Sequence, residues 1–144
     1  MNTEDFDETV AAAMARMPGW FSEVETPATD QDALAVERLL GVALPDEYKH
    51  FARKFGAGYF GQANVTSLRA DSEWYRANSL VQLTENRTLY VLSDDQTGGF
   101  YGFILKANHC GNDVVYVQPD DGGDIEPVAQ SFFDYIVENA LPTP

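Results

Sequence analysis

Residues 37–58 read ERLLGVALPDEYKHFARKFGAG. Gly41 follows Leu39 and Leu40, and a glycine just past a helical run accepts the left-handed backbone that closes a helix. Pro45 comes next, with no N–H to lose and a φ already set for a first helical turn, so a helix is expected to begin there. Tyr48, Phe51 and Phe55 then recur at the spacing of one helical face. Lys49, Arg53 and Lys54 load the later turns with positive charge, where the helix dipole favours it, and Gly56 ends the run.

Moving toward the N-terminus, residues 30–40 are predicted to form a helix. Thr29 or Asp30 serves as its cap, and Leu34, Leu39 and Leu40 as its apolar stripe. Residues 4–17 form an earlier helix with Phe6, Val10, Met14 and Met17 on one face. Pro18-Gly19 stops it, and Trp20 and Phe21 are expected to cover the core.

Beyond Gly58 the pattern changes to strands. Residues 64–69 and 79–83 are candidates, separated by a turn or loop over 71–77 that carries Trp74 and Tyr75. Residues 89–92 run into Ser93-Asp94-Asp95, residues 100–105 follow Gly98-Gly99, and residues 114–117 precede Pro119-Asp120-Asp121-Gly122-Gly123. Residues 124–128 return from that turn as a hairpin. A last helix over 131–141 presents Phe132, Phe133, Ile136 and Leu141. Helices first, strands next and one closing helix predict an α+β fold: N-terminal helices, a central curved mixed or antiparallel sheet, and a C-terminal helix, in one domain over 1–144. Leu40, Leu44, Tyr48, Phe51, Phe55, Phe132 and Ile136 are expected to be buried together.

Apolar residues are 44% of the 144, enough to build a core without disulfide or metal staples. Nine Lys and Arg face 23 Asp and Glu, for a net charge of −14. Phosphate repels such a surface, which argues against direct nucleic-acid binding and against an anionic membrane. Cys110 is the one cysteine and cannot pair internally, so a cytoplasmic setting is expected. The first residues lack the basic start and apolar run of a signal peptide, and no apolar stretch is long enough to span a bilayer.

Three motifs invite chemistry. Gly56-Ala57-Gly58-Tyr59-Phe60-Gly61 spells G-x-G-x-x-G, but it follows a helix and enters extended chain, the reverse of a dinucleotide site, so no cofactor is expected. His109-Cys110 places a base beside a thiol, yet neighbours on an extended chain point apart. The only other histidine is His50, on the third predicted helix. The acidic turns at Asp94-Asp95 and Asp120–Asp124 lack the ligand ladder of a calcium loop, and two histidines with one cysteine make a poor zinc set, so no metal is expected. No nucleophile–base pair emerges, and the chain is read as a non-enzyme.

The segment 37–58 resembles the signature of the SUKH superfamily, in which a helix ends in Glu and Leu-Gly, then Leu-Pro, then an acidic-aromatic helix leading to a glycine-rich turn. The matching residues are Glu37, Leu40, Gly41, Leu44, Pro45, Tyr48, Phe51, Gly56 and Gly58. Gly56-Ala57-Gly58 departs slightly from the Asn-Gly-Gly usual in the family. Downstream, Leu92–Asp95 with Gly98–Tyr101, Val115–Val117 with the Asp-Gly turn, and Ser131-Phe132 opening the last helix resemble the rest of the family pattern, from about residue 30 to 141. The resemblance implies a curved-sheet α+β fold. It also implies the role of many bacterial members: immunity proteins that bind and neutralise toxin domains, often nucleases.

On that reading the expected partner is a basic toxin domain, met by an acidic inhibitor acting as a phosphate mimic. The expected contact residues are Asp94, Asp95, Asp120, Asp121 and Asp124, with Trp74 and Tyr75 as aromatic anchors. The other class considered is a non-enzymatic regulatory or scaffold module that binds an endogenous protein.

Overall fold

A computed structural model describes residues 1–121 and 123–143, with only the backbone of Asp121; Gly122 lies outside the described residues. Helix α1 (Thr3–Arg16) is capped by the Asn2 side chain, which accepts from the Asp5 N–H. A short 3₁₀ turn, Pro18–Phe21, follows. Helix α2 (Asp30–Leu40) opens on a capping box: the Thr29 hydroxyl accepts from the Asp32 N–H while the Asp32 carboxylate accepts from the Thr29 N–H. Gly41 closes α2 in the left-handed region at φ 73°. Helix α3 (Asp46–Lys54) starts directly after Pro45.

Two expectations about the N-terminal half are corrected. Leu34 and Leu39 do not face the core; they are 43% and 58% exposed. Ala33 and Val36 point inward instead, because α2 docks through its small side chains. Trp20 is 37% exposed, while Phe21 alone turns inward and meets the Phe60 ring edge-on at 4.9 Å.

The chain then forms a two-stranded antiparallel hairpin, β1 (Gly58–Phe60) and β2 (Ala63–Val65). Of the predicted strand 64–69 only Asn64 and Val65 are in a strand, which begins one residue earlier at Ala63. Beyond it Thr66 leaves β2 to bond the edge of the main sheet, its N–H donating to the Leu92 carbonyl at 2.9 Å. The main sheet contains β3 (Val81–Thr84), β4 (Arg87–Asp94), β5 (Phe100–Lys106), β6 (His109–Cys110), β7 (Val114–Val117) and β8 (Ile125–Ala129). Its spatial order is β3-β4-β5-β7-β8, with β6 also on β5, and every pair of strands is antiparallel. Register shifts occur within the β3–β4, β4–β5 and β7–β8 pairings, and such irregularities curve a sheet. Helix α4 (Phe132–Asn139) ends the fold, capped by the Ser131 hydroxyl on the Asp134 N–H and by the α3 carboxylate of Glu47 on the Phe133 N–H.

Alternation along β4 explains how the sheet is buried. Tyr90 and Leu92 face the helices, whereas Leu89 and Val91 join Val115 and Val117 in a smaller cluster on the opposite face. The main core is aromatic. Tyr48 of α3 sits edge-on to Tyr90, Phe103 and Phe132 at 5.4–5.7 Å, and Phe6 of α1 stacks on Phe133 of α4 at 3.9 Å. Leu44, Tyr48, Phe51, Phe132 and Ile136 are buried there, and Leu40 and Phe55 pack half-buried against them, as expected.

Candidate functional site

Strand register brings the acidic turns together. Asp94, Phe100, Val117 and Ile125 lie opposite one another across β4, β5, β7 and β8, so they form one row at one end of the sheet. Asp95 begins the turn beyond that row, Asp120 lies past Val117, and Asp124 immediately precedes Ile125. The side chain of Asp120 comes within 3.8 Å of where a Cβ on Gly98 would stand, so the two turns are in contact. Sequence alone left this juxtaposition open. The Asp121 side chain lies outside the described residues.

The opposite end of the sheet carries Arg87, Lys106 and His109 in register. After Lys106 the chain has no Lys or Arg at all. The basic residues of the sheet thus lie at the end opposite Asp94, Asp120 and Asp124, in company with Glu85 and Asp113.

The β4–β5 turn is held by its own acids. The Asp95 carboxylate accepts the N–H groups of Thr97 and Gly99 at 2.8 Å and the hydroxyl of Tyr116. Burial opposes ionisation of Asp95, but the Tyr116 hydroxyl and the two backbone N–H groups outweigh it and hold the carboxyl down at about 2. The same bond to Asp95, aided by burial, raises Tyr116 to about 12. Asp95 therefore organises the turn, Asp94 adds one bond by accepting the Gln96 N–H from a half-exposed position, and Asp120 and Asp124 carry charge on the outside. The buried Asn64 fastens the turn to β2: its amide donates to the Asp94 carbonyl and accepts the Asp94 N–H, each at 2.8 Å.

The predicted aromatics part company. Trp74 is half-buried and meets Tyr59 edge-on at 5.1 Å. Its indole passes 3.4 Å from where a Cβ on Gly58 would stand, and Gly58 has φ +86°, so both space and backbone call for glycine there. Tyr75 packs half-buried against the main core. Sequence reasoning missed Tyr59, which is 45% exposed and accepts from the Gln96 side chain at 3.1 Å, linking Trp74 to the acidic turn. The available signal was the alternation in Gly58-Tyr59-Phe60, which turns Tyr59 out as Phe60 turns in.

The other chemical motifs resolve as structure. G-x-G-x-x-G, Gly56 to Gly61, begins just past α3 and runs through β1 into the hairpin turn. Cys110 is buried, and burial together with the Glu37 charge raises its thiol to about 12. His109 is exposed, and His50 pairs with Asp7 at 2.8 Å. Among the described residues, no group of three or more His, Cys, Asp or Glu is placed to hold a metal ion. Among the described residues no helix is long and apolar enough to cross a membrane.

Comparison with known proteins agrees with the fold. The family model SUKH_6, described as SMI1-KNR4 cell-wall, matches residues 30–136, which include α2 through most of α4. No curated protein matches the chain.

Proposed function

Because the chain belongs to the SMI1-KNR4 family of the SUKH superfamily, which is associated with toxin immunity, we propose that it is a non-enzymatic immunity protein that binds and neutralises a cognate toxin domain in the cytoplasm. The observation that carries this reading is the gathering of Asp94, Asp120 and Asp124 at one end of the sheet, with no Lys or Arg after Lys106 in the chain to offset them. A nuclease must be basic where it holds phosphate, and a preformed row of carboxylates meets that surface as the substrate backbone does. Complementary charge also speeds encounter, which matters to an inhibitor that must act before the toxin cuts. The Asp95 hydrogen bonds support the same reading, because a turn held rigid before binding loses little entropy on docking.

The test uses a nuclease domain encoded beside the gene. Changing Asp94, Asp120 and Asp124 together to Asn is expected to weaken binding by at least about tenfold, flatten its salt dependence and leave the melting temperature in place. Unchanged affinity and salt dependence in the triple variant would defeat the proposal.

A further inference from the structure

A pocket of about 320 Å³ opens beside the acidic turn, between the β1–β2 hairpin, the β4–β5 turn and the C-terminal end of α4. We infer that this pocket is a socket for one arginine side chain of the partner, an inference that rests on the binding role proposed above. Its volume falls in the range of sites that enclose a small group.

The chemistry of the walls selects the occupant. No Lys, Arg or His lines the pocket, and Asp94 and Asp95 do. Three of the four amides in the wall commit a donor to the protein's own oxygens: Asn64 to the Asp94 carbonyl, Gln96 to the Tyr59 hydroxyl, and Asn139 to the Tyr135 carbonyl; the fourth, Gln62, is exposed at the rim. The side-chain oxygens of Gln96 and Asn139 accept no hydrogen bond among the described residues. One oxygen of Asp94 accepts the Gln96 N–H, and among the described residues the other takes none. The pocket thus presents several acceptors and net negative charge, a match for a group made only of donors.

A guanidinium fits this description better than an ammonium. It carries five N–H donors in a plane, so it can serve spread acceptors together, and it stacks on aromatic faces. The wall supplies those rings in Tyr59, Tyr101 and Tyr135, the last two with centroids 5.2 Å apart. Gln96 holds the rim in place from a left-handed backbone at φ 64°, unusual for a residue other than glycine, while its side chain reaches Tyr59.

The test titrates the full chain with N-acetyl-arginine methylamide and follows the side-chain amide signals of Asn64, Gln96 and Asn139 by NMR. Saturable shifts, with weaker binding of the matching lysine compound and none of the glutamine compound, are expected. Asp94→Asn should weaken the arginine compound by about tenfold, the loss typical of a charged hydrogen bond. Gln62→Trp fills the pocket from an exposed position without changing net charge, and it should abolish the shifts while the circular dichroism spectrum stays native. Absence of saturable shifts, or equal binding of the glutamine compound, would overturn the proposal. Tighter binding of free L-arginine than of the capped form would also overturn it, by pointing to a free amino acid. With the neighbouring nuclease, weakened binding to Gln62→Trp supports the socket. Full binding to Gln62→Trp, alongside loss in the Asp94, Asp120 and Asp124 triple variant, would overturn the socket and leave the immunity reading standing.

Discussion

The carboxylate of Glu37, in the last turn of α2, accepts the backbone N–H of Leu44 at 2.7 Å and the Lys49 ammonium at 3.0 Å on the same oxygen. One side chain thereby spans the α2–α3 connection and anchors both its extended residue and the helix after it. Both charged side chains are largely buried, at 17% and 15% exposure, so solvent screens the pair less than a surface bridge.

Glu37→Ala is therefore expected to cost about 2 kcal/mol in urea unfolding, because it leaves the part-buried Leu44 N–H without its acceptor and the Lys49 ammonium with only the exposed Asp46 at 3.5 Å. Glu37→Gln keeps an acceptor for Leu44 and should cost less. Equal stability of the alanine variant and the parent would show that the connection is held by packing alone.

Tyr48 combines packing with a buried polar network. Its hydroxyl meets the Thr66 carbonyl, the Thr66 hydroxyl and the Tyr90 hydroxyl at 2.8–3.0 Å, and burial raises it to about 12. Tyr48→Ala should cost about 3–5 kcal/mol, as large aromatic truncations do. Tyr48→Phe should cost about 1–2 kcal/mol by stranding the Tyr90 hydroxyl. The double variant with Tyr90→Phe should lose less than the sum of the singles, since both remove one shared bond. Strict additivity in denaturant melts would refute the coupling.

Asp95 and Tyr116 give a pH window. Asp95 is lowered in the fold from 3.8 to about 2, so its contribution is complete above about 4 and disappears as pH falls toward 2. Tyr116 is raised from 10.0 to about 12, so its contribution is complete below 10 and disappears as pH climbs toward 12. The stability difference between parent and Asp95→Asn should stay flat between those limits and shrink on the acid side. A difference that grows as pH falls would contradict the bond pattern.

Cys110 should behave as a core residue. Its thiol is 7% exposed and donates to the Gly111 carbonyl at 3.4 Å. A thiol-reactive dye is expected to label native protein only at the rate of unfolding and to react at once in urea. Rapid stoichiometric labelling of the native protein at neutral pH would show an accessible thiolate and reopen the catalytic reading of His109-Cys110.

The helix boundaries were legible in the sequence, because local residues set them. Gly41 needs only its own left-handed backbone to stop α2, Pro45 needs only its fixed φ to start α3, and Ser131 caps α4 with its own hydroxyl. The valine run at 114–117 and the closing Phe132-Phe133 likewise carry their burial in their composition. What faces what was decided by the tertiary structure. Leu34 and Leu39 are as apolar as a core stripe requires, yet α2 docks through Ala33 and Val36, since the docked face depends on the surface that receives it. The alternation that turns Tyr59 outward runs over only the three residues of β1, too short a stretch to stand out in the sequence. The acids of the candidate site lie about thirty residues apart along the chain and meet only because antiparallel pairing sets Asp94, Phe100, Val117 and Ile125 in one row. Register is a property of paired strands, so the individual segments could not reveal it.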